Sequence, residues 1–155
     1  MQIYERMAND ENHKGTKSRG CTCLRLRKAS RRVSQIYDQH LEPFGLTVTQ
    51  YAVLGHLATF DGISIGELAD KLVMDPTTLT RNLRPLQRER LVVVKPDRRD
   101  RRARSLQLTA SGREVFEKAK PGWVRAQRHI EQLFGEVETP ALNAALDRVL
   151  ERLTT

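Results

Sequence analysis

The chain has 155 residues, enough for one compact domain, and its content of 39% hydrophobic and 30% charged residues is typical of a globular protein. No apolar run approaches the roughly 20 residues of a membrane span, and the polar N-terminus lacks the apolar segment of a secretory signal, so we expect a cytoplasmic protein. The net charge is +8, and half of that excess lies in residues 95–104, which carry six basic and two acidic side chains. Such a cluster is compatible with a nucleic-acid partner.

The first predicted elements are a flexible tail and two helices. Residues 1–20 are polar and show no periodicity, which indicates a tail. Apolar residues then recur at steps of three and four over residues 24–44, which predicts a long first helix ended by Pro43 and Gly45. A second helix is predicted from residue 47 or 49 to about residue 60.

Start signals mark the third and fourth helices. Ser64 and Glu67 have the spacing of a capping box. Asp75 followed by proline is a strong start for the next helix. On a helical wheel of that fourth helix, leucines share one face, while hydroxyl and guanidinium side chains occupy the opposite face, namely Thr77, Thr80, Arg81, Arg84 and Arg88. Pro85 lies inside this helix and is expected to kink or loosen its last turn.

Two β-rich segments, residues 91–95 and 103–108, form a predicted hairpin around the arginine-rich loop. Ile63 is a candidate for one short β-bridge. Thr109 then caps a fifth helix, which the Pro121-Gly122 pair is expected to bend, and Thr139-Pro140 opens a sixth helix with an apolar face. The order helix, turn, helix and hairpin predicts a mainly α fold with a small β-hairpin wing, the α+β class known as a winged helix-turn-helix.

This arrangement suits duplex DNA. A helix fits the major groove, where arginine pairs with guanine and threonine offers a hydroxyl and a methyl group. A hairpin tip rich in arginine can enter the narrower minor groove. The expected contacts come from Arg98, Arg99, Arg101 and Arg102, with Asp97 and Asp100 holding neighbouring arginines in place. Alternatively, basic residues such as Arg88 belong to a solvated face, and Arg104 covers apolar surface with its stem.

Two segments resemble a known family. The run from Asp97 to Arg102, with Leu106, Leu108, Thr109, Ala110, Ser111 and Gly112 after it, is similar to the D-x-R-D-x-R…L-T-x-x-G signature of the MarR family of dimeric transcription regulators. The segment "IGELADKLVMDPTTLTRNLRPLQRERLV" resembles the recognition segment of that family. The resemblance covers residues 22–153. It implies a homodimer on a pseudo-palindromic operator of double-stranded DNA, and a repressor released by a small-molecule effector.

The resemblance also implies a domain organisation, with separate regions for DNA binding and for dimerisation. Residues 47–109 would form the winged helix-turn-helix domain that binds DNA, and residues 21–46 and 110–155 the helical dimerisation region. Major-groove contacts would come from Thr77, Thr78, Thr80, Arg81 and Arg84. Minor-groove contacts would come chiefly from Arg99 and Arg101, with Asp97 bracing the wing. An effector would sit in the crevice between the two regions, with candidate walls at Arg27, Arg31, Tyr37, Tyr51 and Trp123. For Tyr37 and Trp123, interior or dimer packing is the competing explanation.

The cysteine content indicates neither a disulfide framework nor a zinc site, because the two cysteines form a C-x-C pair and the four histidines lack ligand spacing. We therefore expect no metal and no cofactor. Cys23 lies near a helix start beside two arginines, surroundings that make a thiol reactive. The peroxide-sensing branch of the MarR family carries a Ser-Arg pair seven positions after its cysteine, which Ser30-Arg31 matches, and a tyrosine that corresponds to Tyr37. However, Arg27 stands where that branch has a second tyrosine. Thiol-based peroxide sensing by Cys23 is thus an alternative function, and packing of small residues at a subunit interface is the competing explanation.

Other functional classes find little support in the sequence. It contains no paired carboxylates at active-site spacing, no phosphate-binding glycine loop and no nucleophile elbow. We therefore do not expect an enzyme. Two rivals stay open: a thiol peroxidase that uses Cys23, and an architectural protein that binds DNA without sequence preference.

Overall fold

The computed structural model of the protein describes residues 21–96 and 104–154. The described part of the chain divides into two units, one up to Gln35 and one from Ile36 onward. The helices are α1 Thr22–Leu41, α2 Val48–Thr59, α3 Ile65–Lys71, α4 Pro76–Arg88, α5 Ala110–Phe134 and α6 Glu138–Leu153, and the strands are β1 Ile63–Ser64, β2 Val92–Pro96 and β3 Arg104–Leu108. The predicted class, mainly α with a small antiparallel sheet in a winged helix-turn-helix, is confirmed. The predicted domain boundaries at residues 46 and 109 stay a prediction.

Side-chain caps set the starts of α2 and α3, and the capping box at α3 is the one that the sequence predicts. Thr47 and Gln50 form a reciprocal capping box at the start of α2. At the start of α3, the Ser64 N–H donates to the Glu67 carboxylate at 2.9 Å, and the Glu67 N–H donates to the Ser64 hydroxyl at 3.2 Å. Each capping box provides acceptors for two backbone N–H groups at the helix start that would otherwise lack a hydrogen-bond partner. The helix boundaries therefore follow from local chemistry.

The sheet has the order β1-β3-β2, and all of its strands are antiparallel. Ile63 pairs with Leu106 across β1 and β3, so the predicted short bridge is confirmed. In the wing hairpin, Val92 pairs with Leu108 and Pro96 with Arg104. The small sheet thus joins the segment before α3 to the base of the wing.

The core of the second unit is mainly aliphatic, in keeping with an aromatic content of only 5%. Side chains from α2, α3, α4 and the sheet are almost completely buried, among them Leu54, Leu57, Leu68, Leu79, Leu83, Leu86, Val92 and Leu106. Each buried leucine contributes about 1.5–3 kcal/mol relative to an exposed one. This core fixes α3 and α4 against the sheet and so orients the outer face of α4.

The start of α5 is packed tightly against the base of the wing. The Thr109 hydroxyl accepts from the Gly112 N–H at 2.9 Å and donates to the Arg90 carbonyl at 2.8 Å. A Cβ atom at Gly112 would overlap the carbonyl oxygen of Leu91 and the side chain of Leu108. The L-T-x-x-G segment therefore has a structural reason, because only glycine permits this approach of α5.

The prolines inside α4 and α5 do not interrupt these helices, and α6 does not begin at Thr139-Pro140. Helix α4 continues through Pro85 to Arg88, and the N–H of Glu89 still donates to the Pro85 carbonyl at 3.0 Å. Helix α5 is likewise continuous, and Gly122 serves close packing, since a Cβ there would come within 2.7 Å of the His40 carbonyl oxygen. The predicted start of the sixth helix is wrong. Helix α6 begins at Glu138, and Thr139 lies inside it with its hydroxyl bonded to the Gly135 carbonyl rather than acting as a cap.

Candidate nucleic-acid interface

Helix α4 separates its apolar and polar side chains onto opposite faces. Leu79, Leu83 and Leu86 are at most 1% exposed and lie in the core. The opposite face is exposed and carries Thr77, Thr78, Arg81, Arg84 and Arg88. Because the core holds one side of the helix, the hydroxyl and guanidinium groups on the other side are presented to the surroundings.

The start of α4 is fixed by Asp75. Its carboxylate accepts from the backbone N–H groups of Thr77 and Thr78 at 2.8 and 3.1 Å. Pro76 takes the first helical position, where a missing N–H costs nothing. The capped end of α4 is therefore well ordered, which suits the end of a recognition helix that reaches base edges first.

Thr80 is less available than the sequence indicates. Its side chain is half-buried, and its hydroxyl donates to the Pro76 carbonyl at 2.8 Å. The hydroxyl oxygen and the methyl group remain able to meet a ligand, but the proton is committed to the helix backbone. Asn82 behaves in the same way, since its amide donates to the Thr78 carbonyl at 2.9 Å.

The tip of the wing lies outside the described residues, which end at Pro96 and resume at Arg104. The predictions for Asp97 and Asp100 and for the wing arginines, Arg98, Arg99, Arg101 and Arg102, fall in this segment. The base of the wing is described. Lys95 and Arg104 are exposed there, so the hairpin is basic where it leaves the sheet.

A cavity of about 400 Å³ lies between α2 and α5. Its walls are mainly apolar, and the lining residues are Val48, Tyr51, Ala52, Gly55, His56, Thr59, Phe60, Phe116, Lys120 and Trp123. The Tyr51 ring stacks on Phe116 at a centroid distance of 4.8 Å and on Trp123 at 6.3 Å. Burial raises the pKa of Tyr51, and the charge of Glu117 adds to that shift. A volume of this size holds a small organic ligand.

The five predicted effector residues do not all line this cavity. Tyr51 and Trp123 do, whereas Tyr37 is absent from the lining and its hydroxyl donates to the Gln127 side chain. Burial, and secondarily the charge of Glu131, raise the pKa of Tyr37. Arg27 and Arg31 are exposed on the part of α1 that belongs to the first unit.

Sequence reasoning missed the other eight lining residues, among them Phe116 and Lys120. The signal for two of them was present, because positions 116, 120 and 123 recur at helical spacing on one face of α5. That face lies beside the buried stripe at Ala119 and Ala126. Gly55 is the matching position on α2, where a Cβ would lie 3.3 Å from the Phe116 ring.

Cys21 and Cys23 are both free and exposed, with Cys23 in the first turn of α1. Within residues 21–96 and 104–154, no group of three or more His, Cys, Asp or Glu side chains is arranged to hold a metal ion. In that same part of the chain, no helix combines the length and apolar character needed to cross a membrane.

The capped α3 and α4, the β-hairpin wing and the long α5 together define a winged helix-turn-helix protein. Residues 44–103 match the MarR family model. A solved DNA complex of the M. tuberculosis transcriptional regulator MosR is 32% identical with a TM-score of 0.76, and the match covers 87% of this chain and 97% of that one. The chain belongs to the MarR family.

Two further relatives are similar over much of the chain. The transcriptional activatory protein BadR of Rhodopseudomonas palustris is 37% identical over 117 residues, which cover 74% of this chain and 63% of that protein, less than two thirds of its length. The transcriptional repressor CouR, solved on a 23-mer DNA duplex, is 27% identical with a TM-score of 0.76, and the match covers 84% of this chain and 92% of that one.

Proposed function

We propose that this protein is a sequence-specific DNA-binding transcriptional regulator that acts as a homodimer on a pseudo-palindromic operator. The observation that carries the proposal is the exposed face of α4, where threonines and arginines stand opposite three buried leucines. The similarity to MosR and CouR, both solved on DNA, supports it. Helix α4 enters the major groove, and the wing arginines, above all Arg99 and Arg101, follow the minor groove and its phosphates.

The apolar face of α6 supports the homodimer. Leu142, Leu146, Val149, Leu150 and Leu153 are 38–78% exposed along a single helix. A contiguous apolar stripe of this kind is typical of a protein interface. A second copy of the chain covers it in the proposed dimer, and the two α4 helices then read half-sites about one helical turn apart.

The cavity between α2 and α5 is the proposed effector site. Helix α5 lines it with Phe116, Lys120 and Trp123, and the same helix is joined at its start to the base of the wing through Thr109 and Gly112. A ligand that moves α5 relative to α2 therefore changes the position of the wing and of α4, which provides the coupling between effector and operator.

We propose that the protein is a repressor released by this effector. The relatives differ in whether they activate or repress transcription, since BadR is named an activatory protein and CouR a repressor. A reporter gene placed downstream of the bound operator shows whether the protein represses or activates transcription. The proposal expects higher expression when the protein is deleted, and lower expression on deletion would contradict it.

The DNA-binding proposal is tested by Arg81→Ala. Loss of a bidentate contact to a base is expected to weaken operator binding by about 1–3 kcal/mol and to relax base preference at one position in each half-site. Arg128→Ala removes the same charge from an exposed position on α5 and is the matched control, expected to bind normally. Equal loss of affinity on every sequence would show that Arg81 contacts phosphate and does not read bases.

The wing is tested separately by the salt dependence of binding. Arg99→Ala is expected to reduce the slope of log affinity against log salt by about 1, because one phosphate contact is lost. The architectural alternative predicts that the operator is preferred over random duplex by less than about tenfold at physiological salt. Peroxide sensing by Cys23 stays an alternative function, and it predicts that hydroperoxide releases DNA from the wild type but not from Cys23→Ser.

A further inference from the structure

The turn between α3 and α4 contains an unusual residue. Val73 has a φ of +51°, and its side chain is 78% exposed. The Met74 N–H donates to the Ala69 carbonyl at 2.8 Å, and the Val73 N–H donates to the Asp70 carbonyl at 3.1 Å. These two bonds form a Schellman motif, which requires a left-handed residue after the helix, a position that glycine or asparagine usually holds.

Valine is a poor choice for this conformation. A positive φ brings Cβ close to the neighbouring backbone, and a β-branched residue there is a genuine outlier. The other described positions with positive φ are Gly45, Gly62, Gly135 and Arg90, none of which is β-branched. Because the isopropyl group is exposed, no burial within the described structure offsets this strain. Strained residues that persist tend to mark functional sites.

The location of Val73 indicates what it contacts. It lies two residues before Asp75, whose carboxylate caps α4 at Thr77 and Thr78. This end of α4 is the one that approaches base edges in the proposed function. An exposed isopropyl group has one apolar counterpart on the floor of the major groove, the 5-methyl group of thymine.

We propose that Val73 is a base-contacting residue that reads a thymine methyl group at one fixed position in each half-site. This inference rests on the proposed DNA-binding function. The contact is made only on DNA, so its benefit appears in binding and not in the stability of the free protein. Val73 thereby adds an apolar determinant of specificity to the hydrogen-bonding groups of α4.

The test replaces each thymine of the selected operator in turn with deoxyuridine, which lacks only the methyl group. For the full-length wild type, affinity is expected to fall about fourfold at one position in each half-site. Val73→Gly and Val73→Asn, which both tolerate a positive φ, are expected to show no response at that position. The response is a ratio of two affinities for the same variant, so it does not depend on the variant's stability.

A control and a second readout complete the test. Arg81→Ala is expected to keep the deoxyuridine response, because its contact lies at another position. Val73→Gly is expected to melt no lower than the wild type, since relief of the strained backbone offsets the added freedom of glycine in the unfolded chain. This readout separates loss of recognition from loss of folding.

The results that would overturn the inference differ from those that would overturn the proposed function. If no thymine responds to loss of its methyl group, or if Val73→Gly and the wild type respond equally, Val73 does not read a thymine. If Val73→Gly weakens binding equally on thymine and deoxyuridine, the side chain contacts the sugar-phosphate backbone instead. If the wild type prefers no duplex over random DNA, the proposed function itself has failed.

Discussion

Helices α4 and α6 have the same amphipathic pattern but different surroundings. In α4 the leucines at positions 79, 83 and 86 are at most 1% exposed, whereas the leucines and the valine of α6 from Leu142 to Leu153 are 38–78% exposed. Both helices follow the periodicity of a half-buried helix. An amphipathic pattern therefore shows that a helix face needs a partner, but it does not show whether that partner belongs to the same chain.

This difference separates two kinds of free energy. Burial of the α4 leucines contributes to the folding of each chain by itself. In the proposed homodimer, burial of the α6 face contributes only when a second copy binds, so its effect is expected to depend on protein concentration. Substitutions of the α4 leucines are therefore expected to change the stability of each chain, whereas substitutions on the α6 face are expected to change the affinity between two chains.

The largest expected effect is that of Leu83→Ala. Removing a fully buried leucine from α4 is expected to lower the free energy of unfolding by about 2–5 kcal/mol, measured by urea denaturation. The loss is expected to be the same at every protein concentration. Arg84→Ala, at the exposed neighbouring position, is the control and is expected to stay within about 0.5 kcal/mol of the wild type. Equal losses for the two variants would show that the faces of α4 are assigned wrongly.

The next effect is on α6. Leu146→Glu is expected to raise the dimer dissociation constant about a hundredfold, because an apolar contact of roughly 1.5–3 kcal/mol is lost and a carboxylate is placed in an apolar interface. Sedimentation equilibrium measures this constant. Ala144→Glu adds the same charge to the opposite side of the helix and is expected to leave it unchanged. If the wild type is monomeric at micromolar concentration, the proposal that a second copy covers the apolar face of α6 is contradicted.

A smaller effect is expected at the start of α4. Asp75→Ala removes the acceptor for two backbone N–H groups and is expected to cost about 1 kcal/mol of stability. Helix α6 provides the contrast, because it begins after Val137 with no side-chain cap. Thermal unfolding of Asp75→Ala and Asp75→Ser compares the loss with a residue that caps equally well. An equal loss in both variants would indicate a role of the charge rather than of the cap.

An effect of similar size at neutral pH concerns Tyr37. Its pKa is raised in the folded protein by burial and by Glu131. Above about pH 10, the unfolded tyrosine ionises while the folded one resists, so stability is complete below that pH and declines above it. Tyr37→Phe is expected to lose about 1 kcal/mol at neutral pH with the bond to Gln127, and to show a smaller alkaline decline in urea midpoint. An unchanged alkaline decline would contradict this role of Tyr37.

Local signals predicted the helix starts well. The predicted caps Ser64 and Asp75 act through neighbours three residues or fewer away, so their roles can be read from short segments. Thr47 caps α2 at the same short range, but only the approximate start of that helix was predicted. The predicted cap at Thr139 is wrong because α6 begins one residue earlier, at Glu138, and the Thr139 hydroxyl donates to the Gly135 carbonyl instead. The family signature was likewise readable, since Thr109 and Gly112 act on the adjacent strand.

The cavity was harder to predict because it depends on tertiary register. Phe116 and Lys120 become lining residues only through the alignment of α5 with α2, which places Gly55 against the Phe116 ring. Tyr37 was expected there, but α1 directs its hydroxyl to Gln127. The strain at Val73 was also invisible in the sequence, because a positive φ at a valine follows from the hydrogen bonds that end α3.

Selection of bound duplexes from a random pool shows whether two copies of the chain read DNA with the outer face of α4. We expect enrichment of one inverted repeat whose half-site centres lie about one helical turn apart, and we expect Arg81→Ala to lose the preference at one position per half-site. No enrichment, or enrichment of a single asymmetric site that Arg81→Ala leaves unchanged, would contradict this expectation.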